Sequence, residues 1–275
     1  MRKMKHIVRF LSVLLSVVPH AASSAETRLV DPGLVLMKWD VDGASREAGV
    51  YIPKTVPTNG CPVVFVFHGR GGTVNSTIKY FAFHDQWPEA VVVYMQGLPM
   101  SAKAKGDTGW QLNYGEHGDR DLKFLDAVLA TLHEKSAIDD GRIYVTGHSL
   151  GGSFIYLLWQ TRGDIFAAVA PVATGMQYAL TCAKPPDLMK PKPMLHIAGR
   201  RDSIIKFKIQ EATVNMVKKM NECDVKPVKW GNNYCAKYPS GAEVPVVAYF
   251  HPSGHEMPKD AVTLIIKFFK EHQKP

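Results

Sequence analysis

The chain has 275 residues, of which 46% are hydrophobic and 21% charged, with a formal net charge of +8; this is the composition of a folded globular protein and excludes a disordered, collagen-like or repeat-built chain. No segment reaches the ~18 apolar residues of a spanning helix, which excludes a membrane span. Half of the net charge comes from Arg2, Lys3, Lys5 and Arg9, and the later Lys103 and Lys105 have no interleaved aromatics, so nucleic acid is not an expected partner.

Those four basic residues precede an apolar stretch from Phe10 to Val18 and small residues up to Ala25, the pattern of a secretory signal peptide over residues 1–25, with cleavage near Glu26. The protein is therefore expected to be secreted or periplasmic. Residues 26–275 hold no repeat, low-complexity run or linker, so a single catalytic domain is expected. Export allows Cys61, Cys182, Cys223 and Cys235 to pair, and the absence of a CxxC argues against a zinc site or a thioredoxin-like centre.

The first elements are two short runs, Leu34 to Trp39 and Ala48 to Ile52, flanking Asp42-Gly43, which predict an antiparallel hairpin. Continuous apolar runs follow at Val63 to Phe67, Ala90 to Tyr94, Ile143 to Thr146, Phe166 to Val172, Met194 to Ala198 and Val244 to Phe250. Runs without polar alternation predict strands covered on both faces, as in a parallel sheet. Leu122, Leu125, Leu129 and Leu132 form one helical stripe, with Asp119 or Asp121 as its N-cap, and Ala261, Leu264, Ile265 and Phe268 form another. Together these predict a doubly wound α/β sheet with an antiparallel start and helices on both faces.

The strand at 143–146 runs into Gly147-His148-Ser149-Leu150-Gly151-Gly152 and then a helical stretch, Phe154 to Trp159. This G-x-S-x-G sits between strand and helix, the context of a nucleophile elbow, with Ser149 exposed on a strained turn and the Leu150 N–H facing developing negative charge. A serine hydroxyl needs a histidine base oriented by a carboxylate. Asp202 lies on the loop leaving the Met194 to Ala198 strand, at the carboxyl end where open sheets place their sites; Asp187 and Asp224 are wrongly placed. His255 lies on the loop after the last strand, whereas His251 continues that strand. Their four-residue spacing would suit zinc on a helix, but Pro252 and Gly254 break it. His68-Gly69-Arg70-Gly71-Gly72 follows the first parallel strand, so the Arg70 N–H, or secondly that of Gly71, is expected to complete the oxyanion hole, with His68 bracing the loop.

These motifs resemble the secreted α/β-hydrolase esterases grouped with polyhydroxybutyrate depolymerases and feruloyl esterases. The resemblance rests on the run at 63–72, Trp110 followed by Gly118-Asp119-Arg120-Asp121, the elbow at 143–152, the stretch from His196 to Asp202, and Gly254-His255 with Pro258. The elbow reads G-H-S-L-G where the family often has G-L-S-x-G, and Met257 replaces its usual Trp. The resemblance implies an α/β-hydrolase fold and hydrolysis of feruloyl-type, short-chain or polyester esters through an acyl-enzyme, without a cofactor. A serine peptidase or acyltransferase would use the same triad, and a binding protein on a hydrolase scaffold is the non-catalytic alternative.

The short separation of Cys223 and Cys235, together with related esterases, suggests that they pair, leaving Cys61 with Cys182 by elimination. The stretch between Val172 and Met194 is too short for a helical lid domain. Trp110 and Tyr114 are then expected to wall an open site and stack on the substrate, or else to anchor their loop in the core.

Overall fold

The structure, a computed structural model, describes residues 28–31, 33–101, 106–176 and 189–274; the expected signal peptide at 1–25, Lys103, Lys105, Asp187 and Cys182 lie outside the described residues. In chain order the strands are β1 (Arg28–Asp31), β2 (Leu34–Val41), β3 (Ala44–Tyr51), β4 (Cys61–Phe67), β5 (Val91–Met95), β6 (Leu98–Pro99), β7 (Thr108–Gly109), β8 (Ile138–His148), β9 (Ala168–Val172), β10 (Met194–Gly199), β11 (Val228–Lys229), β12 (Cys235–Tyr238) and β13 (Val246–His251). The helices are α1 (Val74–Phe81), α2 (Phe83–Gln86), α3 (Arg120–Lys135), α4 (Leu150–Arg162), α5 (Phe207–Met220) and α6 (Ala261–Lys270). No helix among the described residues is long and apolar enough to cross a membrane.

Eleven strands form one sheet in the order β1-β2-β3-β5-β4-β8-β9-β10-β13-β12-β11, and β6 and β7 form a separate small ladder. The pairs from β5 to β13 are parallel, and both margins are antiparallel. All seven residues of β4 and all five of β5 are buried, because helices cover both faces. Val63, Phe65 and Phe67 face the core under α3, α4 and α5. Val64 and Val66, one residue out of phase, face the core under α1, α2 and α6. The expected fold, the α/β-hydrolase sheet, is the one observed. The hairpin β2–β3 runs in register from Leu34 opposite Tyr51 to Val41 opposite Ala44. Asp42 and Gly43, at φ 52° and 77°, make the left-handed turn that the pair predicts.

Two local expectations fail in whole or in part. Asp119 occupies the N-cap position of α3, as expected, but its side chain makes no capping bond, and Asp121 does not cap. Asp119 turns back to the preceding loop, accepting from Gly115 N at 2.7 Å and Gln111 Nε2 at 2.8 Å. Asp121 is buried and accepts from the Arg46 guanidinium at 2.7 Å and from Gln111 N at 2.8 Å. The fully buried Arg46 needs a counter-charge more than the helix needs a cap.

The Cys223–Cys235 bridge is likewise not formed; both are free thiols. Cys223 stands across from Ser240, whereas Cys235 pairs with Tyr249 at the other end of β12. Along a nearly extended chain, Cys235 and Ser240 are roughly 16 Å apart, while a disulfide needs Cα atoms roughly 4.4–6.8 Å apart. Cys61 is buried at the start of β4, and its expected partner lies outside the described residues.

Candidate active site

β8 ends at His148 and α4 begins at Leu150, so the chain reverses at Ser149, which sits at φ 55°, ψ −117°. That conformation is costly for a residue with a side chain and persists only where the surroundings impose it. The flanking glycines let the surroundings come close. A Cβ on Gly151 would lie 2.5 Å from the carbonyl oxygens of both Phe67 and His68, and one on Gly147 would lie 2.8 Å from the Gly151 backbone. Ser149 N donates to the Val172 carbonyl at 2.9 Å, and Ser153 N to the Ser149 carbonyl at 2.9 Å, tying the turn to β9 and to the first turn of α4.

The loops after β10 and β13 meet over this turn. Arg200 N donates to the His251 carbonyl and Arg201 N to that of Ser253, each at 2.9 Å. Gly199 is where the loops touch, since a Cβ there would collide with the Gly254 carbonyl. As a result Asp202 and His255, far apart in sequence, come together: His255 Nδ1 lies 2.8 Å from Asp202 Oδ2, and His255 Nε2 lies 2.8 Å from Ser149 Oγ. The carboxylate accepts, so Nδ1 carries the proton and Nε2 is free to accept from the serine hydroxyl. Asp202 Oδ1 also accepts from Ile204 N and Ile205 N, each at 2.9 Å. Ser149, Asp202 and His255 are thus brought together as the sequence predicts. His251 is buried at the end of β13 outside this array, and burial lowers its pKa.

The loop after β4 runs alongside Ser149. Its Gly71 N–H donates to the Thr108 carbonyl at 2.7 Å, so of the two expected loop donors Gly71 is already engaged. Arg70 is held by its side chain, whose Nε and Nη2 bond both oxygens of Asp107 at 2.6 and 2.5 Å. His68 braces the loop from below: its Nε2 accepts from Gly97 N at 2.9 Å and its carbonyl from Trp110 Nε1 at 2.9 Å. Burial lowers the His68 pKa and keeps the ring neutral.

Trp110 is therefore a loop anchor and not a wall of the site. It is 1% exposed, edge-on to Phe67 at 4.9 Å and stacked on Phe154 at 5.6 Å. Its indole N–H needs a buried acceptor, and the His68 carbonyl supplies it. Tyr114 is exposed and within electrostatic range of Arg162 in the last turn of α4, about 18 Å along that helix from Leu150.

Three residues at the site escape the sequence reading. His148 carries Nε2 to the His255 carbonyl at 2.7 Å. Half-exposed Tyr80 packs edge-on to His148 at 5.6 Å and accepts from Met257 N at 2.7 Å. Gln210 donates to Asp202 Oδ2 at 2.9 Å. Gln210 had a legible signal, since it shares the buried stripe of α5 with Thr213, Val214 and Val217, where a lone amide must have a partner.

No family model matches the chain. A bifunctional acetylxylan esterase/xylanase of Neocallimastix patriciarum is 24% identical over 187 residues, covering 66% of this chain and 25% of that protein. Feruloyl esterase D of Neurospora crassa is 26% identical over 182 residues, covering 61% of this chain and 60% of its own. The chain is similar to the feruloyl and acetylxylan esterases. Its matched region spans about a quarter of the first relative and 60% of the second. Among solved structures, the acetyl xylan esterase from Aspergillus awamori superposes with a TM-score of 0.64 at 16% identity, covering 86% of this chain and 99% of that one. At that identity the likeness establishes the fold, an α/β-hydrolase.

Proposed function

We propose that the chain is an exported serine carboxylic-ester hydrolase of the feruloyl and acetylxylan esterase type. The reading is carried by the unbroken donor line from Ser149 Oγ through His255 to Asp202, with both hydrogen bonds at 2.8 Å. Ser149 attacks the ester carbonyl as His255 Nε2 takes its proton, and Asp202 stabilises the resulting imidazolium. The tetrahedral oxyanion is held by the N–H groups of Arg70 and Leu150, each donor typically worth about 3 kcal/mol of barrier. Collapse expels the alcohol, which leaves with the proton from His255. Water, activated by the same nitrogen, then releases the acid from Ser149 and restores the enzyme.

The relatives named above point to feruloyl and acetyl esters as substrates, and the resemblance to polyhydroxybutyrate depolymerases adds hydroxyalkanoate polyesters. Residues 1–25 act as the export signal, and 26–275 as the single catalytic domain. The test is hydrolysis of nitrophenyl acetate, methyl ferulate, acetylated xylan and a polyester film by purified protein, alongside labelling with a fluorophosphonate probe. Wild type is expected to hydrolyse esters and label; Ser149→Ala is expected to do neither. Retained hydrolysis in Ser149→Ala would remove the serine mechanism, and an unlabelled wild type would favour a non-catalytic scaffold.

A further inference from the structure

Asp202 is gripped from two sides, and the second grip leads into the core. Gln210, in the first turn of α5, is fully buried, a position that costs free energy unless its polar atoms are paired. Its Nε2 donates to Asp202 Oδ2 at 2.9 Å and to the Ile205 carbonyl at 2.8 Å. Both partners are acceptors, which fixes the amide with nitrogen toward Asp202 and Oε1 away from it.

The neighbour of Gln210 on the inner side is His196 of β10, also fully buried. His196 Nδ1 lies 3.0 Å from the hydroxyl of Tyr156 on α4. Burial keeps that phenol protonated, and it also reaches Met194 Sδ at 3.8 Å. His196 Nε2 and Gln210 Oε1 are both sealed from solvent, and neither has a hydrogen-bond partner among the described residues. Gln210 and the Thr174 backbone are the groups that favour a proton on this ring.

We propose that Gln210 is a positioning residue for Asp202, its amide nitrogen shared between the Asp202 carboxylate and the Ile205 carbonyl so that the buried side chain holds both. The proposal rests on the serine-hydrolase reading above. Donors then converge on one carboxylate oxygen from both directions: Gln210 from the core, and His255 from the Ser149 side. The other oxygen is engaged by Ile204 and Ile205. With both oxygens doubly bonded the carboxylate cannot rotate, and its remaining role is to hold His255 Nδ1–H in line with Ser149.

The test measures kcat and KM on nitrophenyl acetate from roughly pH 5 to 9 for wild type, Gln210→Leu and Gln210→Glu, with Ser149→Ala as a control. An active Ser149→Ala would overturn the hydrolase reading itself, separately from the role of Gln210. Gln210→Leu is expected to lose roughly ten- to a hundredfold in kcat, the scale of one hydrogen bond to a charged group, with KM unchanged and the fold intact by circular dichroism. Gln210→Glu can donate to Asp202 only while protonated, so its activity should decline relative to wild type as pH rises. The ionisable groups facing that position are Asp202, His196, Tyr156 and His255, with His148 and His251 within electrostatic range of Asp202. Wild-type kcat in Gln210→Leu, or a wild-type pH profile in Gln210→Glu, would overturn the proposal. Should both variants fail to fold, hydrogen-exchange NMR of the wild-type Gln210 side-chain amide decides: slowly exchanging Nε2 protons are expected, and rapid exchange would refute the grip on Asp202.

Discussion

His148 Nε2 donates to the carbonyl oxygen of His255 at 2.7 Å, and the two imidazole rings meet edge to face with centroids 4.9 Å apart. The residue before the candidate nucleophile thus holds the backbone of the candidate base, joining the elbow to the loop after β13. Burial lowers the His148 pKa, so the ring stays neutral and spends its one proton on this bond.

His148→Leu is expected to remove that tether while keeping the ring's volume roughly filled. One neutral hydrogen bond is worth about 1 kcal/mol, so kcat should fall by about fivefold with KM unchanged, and His148→Gln, which retains a donor, should recover most of the loss. Steady-state kinetics on a nitrophenyl ester checks both variants; equal activity of Leu and Gln would show that the tether does not position His255.

Two histidines compete in sequence for the role of base, and only His255 reaches Ser149. His255→Ala is expected to lose at least about a thousandfold in kcat/KM, on the scale of removing a triad member. His251→Ala should stay within about tenfold, its effect coming from the emptied volume at the end of β13. The reverse ranking in parallel assays would contradict the array.

Trp110→Ala should act through stability. Deleting a buried indole typically costs about 3–5 kcal/mol, and here it also strips the His68 carbonyl of its donor. A lower denaturation midpoint in urea is expected, with an unchanged ratio of methyl ferulate to nitrophenyl acetate turnover. A selective loss on the feruloyl ester would place the ring against substrate after all.

Burial lowers the pKa of His68, His148, His196, His251 and His272, that of His196 to about 4 from an ordinary 6.5. Below about pH 6.5 the unfolded chain takes up protons that the folded protein refuses, so stability must decline as pH falls from 6.5 toward 4. His196 alone accounts for about 3 kcal/mol across that window. Calorimetry should show the midpoint temperature falling between pH 6.5 and 5, where carboxylates barely titrate. A flat midpoint over that range would mean the histidines are not buried neutral.

The order of strands and helices was legible in the sequence because each element carries its own pattern: unalternated apolar runs for β4 and β5, a leucine stripe for α3, Asp42-Gly43 for the first turn. Ser149, Asp202 and His255 were legible for a related reason, since each lies on a loop leaving the carboxyl end of a strand, and strand ends are a local property. Partner choice is not local. Whether Asp121 caps a helix depends on Arg46 arriving from β3, whether Cys223 meets Cys235 depends on how far β12 carries the chain between them, and whether Trp110 faces solvent depends on Phe67 and Phe154 closing over it. Those outcomes follow from which groups the packed sheet brings within bonding distance and which buried atoms must then be satisfied, and only the tertiary structure decides them.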